Sequence, residues 1–241
     1  MESEIFRGAS PSSIVALQEM DETLAHSWLA PLADQRGLKM IYAKKASGES
    51  QDGCALLIDR QLWRVCEHGC VVLGPPSTAT SQVALVALLE SLASSKCTLL
   101  VASVHLKSKP GHEERRRDQV RVLLAALERM STKAGGVTRI LVLGDFNDVP
   151  SSLACELMRE TGFTSIYDTH YPHEFYTTAK KREHVVQRTI DYMWLKEAKA
   201  GGAATSVVSL LEIPPVSTFP HLLPCTTYPS DHLALVAQLQ L

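Results

Sequence analysis

Apolar positions along the chain fall into short runs, and several of these runs empty into an acidic, amide or imidazole residue. Runs of roughly four to eight apolar residues bounded by turn signals mark buried strands. On that pattern residues 14–17, 38–43, 54–58, 98–104, 139–143, 189–195 and 206–211 are predicted strands, 62–73 is a strand or a pair of them, and 232–241 alternates well enough for a last strand. The longest helix is predicted at Glu113–Lys133, where Val120, Leu123, Leu124 and Leu127 share one face, and Gly135-Gly136 ends it. A second helix starts at an Asp21 or Thr23 cap and runs to about Gln35, and a third covers 151–160 before Gly162. Residues 82–92 fit either element: their Leu and Ala content favours helix, and their apolar run suits a buried strand. The connections are a polar loop at 44–52, a hairpin turn at Ser94-Ser95-Lys96, a polar aromatic loop at 172–183 and a long proline-bearing loop at 214–229.

Length and charge narrow the classes. A chain of 241 residues suits one α/β domain spanning 1–241, with enough core to need no disulfide or metal staple. With 24 Lys+Arg against 26 Asp+Glu, no global basic field exists, so an anionic ligand must meet a local cluster. No apolar run reaches the roughly 18 residues of a membrane span, and the acidic start lacks a signal-peptide core. The six cysteines form no C-x-x-C pair and read as reduced, buried thiols of an intracellular, cytoplasmic protein. Cys66-Glu67-His68-Gly69-Cys70 lacks the second ligand pair of a zinc site.

The chemistry gathers at Gln18-Glu19, His105-Leu106-Lys107, Gly144-Asp145-Phe146-Asn147, Asp191 and Ser230-Asp231-His232. Each is weak alone, because a carboxylate after an apolar run is commonly a cap or turn residue. A sheet that collects all five at one edge brings hard oxygen ligands and imidazoles together, as hydrolysis of a phosphoester beside Mg²⁺ requires. The chain contains no G-x-S-x-G, Walker loop, G-x-G-x-x-G or H-E-x-x-H segment.

With the segments IVALQEMD, DGCAL, HLKSKPGHEERRRDQ, GDFNDVP, YTTAKKREHVVQRTIDYMW and YPSDH, the chain resembles the endonuclease/exonuclease/phosphatase superfamily, and within it the nocturnin and carbon-catabolite-repressor deadenylase group. The resemblance implies a four-layer α/β sandwich of the pancreatic-deoxyribonuclease type, two packed mixed sheets flanked by helices, and makes 82–92 a strand. It implies Glu19 as the principal Mg²⁺ ligand (Mn²⁺ substituting) and Asp231 as a second metal-side carboxylate. Asp145 is implied to orient or deprotonate the attacking water, and Asn147 to hold a phosphate oxygen. His105 and His232 are implied to stabilise phosphoryl charge, with Asp191 fixing one imidazole. Lys107, Tyr176, Lys180 and Arg182 are implied substrate contacts, Tyr176 by stacking on a base, whereas the neighbouring Arg115-Arg116-Arg117 reads as a solvated helix face. The expected substrate is an RNA 3′ end, cleaved by a 3′–5′ exoribonuclease of deadenylase type. An adenine dinucleotide, NADP(H), losing its 2′-phosphate is the alternative, and a silent RNA- or partner-binding module the third. The family also opens with a strand ending in Asn upstream of the L-Q-E segment. None precedes Glu19 here, so the expectation is a chain lacking its first strand. Ala179 stands in place of a usual Trp, and Leu222-Leu223-Pro224 lacks an expected basic neighbour.

Overall fold

Alternation of side chains across two buried faces organises the molecule. The computed structural model describes residues 14–46, 51–74, 82–93, 97–137, 139–171, 174–181, 185–197, 204–218 and 222–241. Strand β1 (Ile14–Asp21) leads into a helical run, α1, made of Glu22–Leu24, a wide π turn Ala25–Leu29 and Ala30–Gln35, with the Asp21 carboxylate accepting the Leu24 N–H as its cap. Strands β2 (Leu38–Lys44) and β3 (Asp52–Asp59) complete an antiparallel sheet of order β1-β3-β2.

A six-stranded mixed sheet follows. It contains β4 (Trp63–Val72), β5 (Val83–Ser91), β6 (Thr98–His105), β7 (Arg139–Asp145), β8 (Thr164–Ser165) and β11 (Asp191–Glu197), in the order β4-β5-β6-β7-β11-β8. Among the described strands only β6 and β7 pair in parallel; the crossover between them is α2 (Glu113–Lys133). The short helices α3 (Leu153–Glu160) and α4 (Ile166–His170) lie between β7 and the later strands. A ribbon of β9 (Thr178–Lys181) and β10 (Val185–Arg188) and a pair of β12 (Ser206–Leu210) and β13 (Ala237–Gln240) finish the chain.

The layers follow from which face each residue presents. Leu56 and Ile58 of β3 meet Leu85 and Leu89 of β5, Val101 of β6 and Leu141 of β7 in the core between the sheets. Val86, Val104, Val142 and Trp194, on the opposite face of the six strands, pack under Val120, Leu123 and Leu127 of α2. Ala25, Leu29 and Ala33 of α1 cover Leu38, Ala55 and Leu57 on the far side of the small sheet. This is the four-layer sandwich expected. Each fully buried Leu contributes roughly 1.5–3 kcal/mol. Double-sided burial also decides β5: Val83, Leu85, Ala87 and Leu89 alternate with Ala84 and Val86, so tertiary packing overrides a helix-favouring composition.

Several expectations need correction. For 62–73, read as a strand or a pair, the structure settles on one strand, Trp63–Val72, with a bulge between Val65 and Glu67. Cys54 and Cys155 are buried, but Cys66 and Cys70 on β4 are exposed, because β4 is an edge strand among the described residues. The 172–183 segment is not only loop, since it supplies β9. Ser94-Ser95-Lys96 and everything upstream of Ile14, where a missing strand was expected, lie outside the described residues; within these, β1 pairs with β3 alone. No described helix is long and apolar enough to cross a membrane.

Candidate active site

One edge of the two sheets carries the polar residues. On β1 the pairing slips between Leu17 and Met20, and Glu19 takes a left-handed φ of 53°. That bulge leaves its carboxylate 71% exposed, with Oε1 3.7 Å from His105 Nε2. Gln18 beside it is anchored inward: its Nε2 donates to Ser103 Oγ at 3.0 Å, and Ser103 Oγ donates to Leu17 O at 3.3 Å. These two residues tie the β1 bulge to β6, and the sequence reading gave Ser103 no role.

His105 and Asp145 end the parallel neighbours β6 and β7 and stand directly side by side in register. Gly144 permits this approach: its φ is 138°, and a Cβ there would collide with the Val104 carbonyl. His105 Nε2 lies 3.6 Å from Asp145 Oδ2, both side chains being buried. Among the described residues the His105 Nδ1 has no hydrogen-bond partner. Burial lowers the His105 pKa, and the Lys45 charge adds to this against the pull of Glu19. Lys45 comes from the 44–52 connection and was not expected near the site.

The turn after β7 is closed by Asn147, also left-handed at φ 52°. Its N–H donates to Asp145 Oδ1 at 2.6 Å, and its Nδ2 donates to Asp145 Oδ2 at 2.9 Å and to Leu106 O at 3.2 Å. Asn147 therefore buttresses the Asp145 carboxylate directly. Asp191 opens β11 rather than leaving a strand; because β11 is antiparallel to β7, Asp191 still pairs across from Asp145. The Asp191 carboxylate holds His232 Nδ1 at 2.9 and 3.1 Å. Burial would depress His232, but the Asp191 hydrogen bond and charge prevail and raise its pKa to about 9. Burial and the Asp191 charge push Asp145 up to about 8.

Thr177, fully buried, joins the late segments. Its Oγ1 accepts the Ile190 and Asp191 N–H groups at 3.0 and 3.2 Å, and its carbonyl accepts Leu233 N–H at 2.7 Å. Sequence reasoning had no signal for it. The carboxylate of Asp231, expected with Glu19 on the metal side, is held by Lys180 Nζ at 2.5 Å. Partial burial works against this carboxylate, yet the Lys180 bond lowers its pKa. Lys180 thus sits beside the His232 segment rather than apart from it. Tyr176 requires correction as a stacking residue: it is 8% exposed, its hydroxyl donates to Pro214 O at 2.6 Å, and its ring belongs to a core cluster with Tyr167, Ile213 and Leu233. Arg116 also departs from expectation, being buried at 2% exposure. Arg182 lies outside the described residues.

Asp145, Asp191 and His232 each offer one ligand atom within 4.8 Å of the others, the described group able to hold a metal ion. The buried Asp145 carboxyl faces the half-buried Asp191 carboxylate, and its pKa is raised first by burial and then by that neighbouring charge. A hard divalent cation fits the two carboxylates of that group, His232 being engaged by Asp191.

The Endonuclease/Exonuclease/phosphatase family profile matches residues 3–232. The chain belongs to that family of phosphoesterases. Nocturnin of Rattus norvegicus is 27% identical over 238 residues, covering 92% of this chain and 54% of that protein; the chain spans about half the length of the curated relatives it matches. Protein angel of Drosophila melanogaster is 30% identical over 151 residues, 60% of this chain and 42% of that protein. The solved human nocturnin catalytic domain with bound sulfate superposes with a TM-score of 0.75 at 26% identity, over 94% of this chain and 80% of that one. ANGEL2, a 2′,3′-cyclic phosphatase crystallised with adenosine-2′,3′-vanadate, shares the fold with a TM-score of 0.82 at 20% identity, over 99% and 83%.

Proposed function

We propose that this chain is a Mg²⁺-dependent hydrolase of a phosphoester next to adenosine, acting as a 3′–5′ exoribonuclease on oligo(A) RNA. The observation that supports it best is the convergence of Glu19, His105, Asp145, Asp191 and His232 at one sheet edge. Asp145, oriented by Asn147, is the group that takes the proton from an attacking water, provided it is ionised. His232, cationic below about pH 9 and steadied by Asp191, supplies fixed positive charge to the phosphoryl oxygens. Glu19 with Asp145 and Asp191 would hold the cation, which when bound polarises the phosphoryl group and favours the ionised carboxylates. Asp231 enters as a substrate-side residue through Lys180, and Lys107, two residues beyond His105 in the chain, as a further cation.

Removal of the 2′-phosphate from NADP(H) is the second reading. The burial of Tyr176 favours it, because a base-stacking track along a strand loses its expected aromatic while Lys180 remains suited to one terminal phosphate.

Turnover of oligo(A) and NADP, side by side, with Mg²⁺, with Mn²⁺ and with chelator, tests both. The expected result is shortening of oligo(A) with either metal and none in chelator. Full activity in chelator would remove the metal mechanism, and phosphate release from NADP without RNA shortening would transfer the reading to the phosphatase.

A further inference from the structure

Among the polar groups around the site, the buried Arg116 is one that the proposed chemistry does not use. Its Nε lies 2.8 Å from Asp148 Oδ2, and its Nη2 donates to Asp148 Oδ1 at 3.2 Å. Its Nη1 donates to the carbonyls of Lys107 and Lys109 at 3.1 and 3.0 Å. Nearly one turn along α2, Gln119 Oε1 accepts the Lys107 N–H at 2.9 Å. Both main-chain polar groups of Lys107 are therefore held by side chains of one helix. Asp148 in turn belongs to the turn that carries Asn147, and its carbonyl accepts the Tyr192 hydroxyl at 2.9 Å.

Docking of α2 does not need this cluster, since Val120, Leu123 and Leu127 already bury its apolar face. A buried charge pair is moreover a costly staple, because both ions lose their water. What the cluster does join to α2 through polar bonds is the Lys107–Lys109 backbone of the loop after His105 and the Asp148 carboxylate of the turn after Asp145, beside the apolar contacts of Leu106 and Phe146 and the Gly111 N–H bond to Glu113. A guanidinium fork can bond one carboxylate and two carbonyls together; an ammonium has neither the reach nor the planar geometry.

We infer that Arg116, with Gln119, is a positioning residue: it fixes Lys107 and Asn147 relative to each other across the reacting phosphate. The inference rests on the hydrolase reading above. It acts through geometry, so its loss affects turnover without removing any group that touches substrate or metal.

Arg116→Lys and Gln119→Met test it, each measured by turnover, by thermal melting and by amide hydrogen exchange. Arg116→Lys keeps the charge opposite Asp148 and loses the fork. The expected result is a folded protein in which the Lys107 and Asn147 amides exchange at least ~10-fold faster and kcat falls ~10–100-fold, while the Mg²⁺ concentration for half-activation changes less than ~2-fold. Gln119→Met removes the Lys107 acceptor, together with a long bond to Gln82 Oε1 at 3.5 Å, and is expected to raise KM ~3–10-fold with a smaller change in kcat. Folded variants with native kcat and KM overturn the inference, leaving a stabilising role alone. If Arg116→Lys does not fold, Gln119→Met decides, and native exchange at Lys107 with native KM overturns it. A wild type that hydrolyses no phosphoester sinks the hydrolase reading instead; exchange then decides the tether, and native protection of both amides in the folded variants overturns it.

Discussion

The two halves of the site are held by different kinds of structure. His105 and Asp145 end adjacent central strands, locked by a parallel ladder whose close approach depends on Gly144. Asp231 and His232 belong to a segment outside the large sheet, attached by a bridge from His232 to Thr178, by the Thr177 bonds and by the His232 side chain on Asp191. Asp145 is bonded twice by Asn147, whereas Asp231 and Lys180 share an ion pair that is more than two-fifths exposed on both sides. Rigid, dry positions suit the groups that must meet a reacting atom within tenths of an ångström. Exposed pairs are worth little to stability and exchange readily for a substrate anion.

Asp145→Asn should break the first half most severely. The side chain keeps its size and loses its capacity as a base, so kcat should fall ~10²-fold or more. Stability should move the other way. The folded carboxyl retains its proton up to about pH 8, against 3.8 for the ordinary group, so metal-free wild type loses stability as pH rises through that window. The variant escapes this and should melt at the same or higher temperature at pH 7. A near-native rate would refute the assignment.

The hinge between the halves is the Asp191–His232 pair. Asp191→Asn should cut kcat roughly 10-fold or more by removing the partner that keeps the imidazole charged and aligned. Because the His232 pKa is raised from 6.5 to about 9, the pair's stabilisation is complete below about pH 6.5 and is lost as pH rises through 9. The variant should thus be most destabilised near pH 6 and approach wild type by pH 9.5. An NMR titration in which His232 keeps a pKa near 9 would show that Asp191 is not its partner.

On the exposed half, Lys180→Met should raise KM ~3–10-fold with kcat changed by less, the signature of lost uniform binding. With oligo(A), the salt dependence should flatten by about one phosphate contact. A collapse of kcat at unchanged KM would move Lys180 into the rigid half. The smallest expected effect on activity comes from Tyr176→Leu, which removes a ring and a bond to Pro214 from a core cluster. It should cost about 1–3 kcal/mol of stability and leave KM within ~2-fold. A large rise in KM at unchanged melting temperature would restore the ring as a substrate contact.

The pattern of apolar runs located most elements because each central strand is buried on both faces and reads as a continuous run. Helix α2 was legible to the residue, its amphipathic stripe and terminal glycines both being local signals. β5 was not, since Leu and Ala suit either element until two layers close on it. The β9–β10 ribbon was missed for a related reason: Thr178, Ala179, Lys180 and Lys181 show no periodic apolar face, and the ribbon rests on antiparallel pairing with Val185–Arg188, with Thr178 also bridging to His232. Arg116 read as solvated because three arginines in a row carry no mark of which one turns inward.

By itself, the sequence determined the list of reactive groups and the strands that bear several of them, because hydropathy, turn residues and side-chain chemistry are properties of neighbours along the chain. Tertiary structure alone decided which of them meet. Asp191 came to face Asp145 only because β11 runs antiparallel to β7, Asp231 was given to Lys180 by a bridge between segments some fifty residues apart, and Tyr176 went into a core shared with Tyr167, Ile213 and Leu233. Partnership, burial and hence pKa depend on pairings between distant segments, and no local pattern encodes the register in which such segments meet.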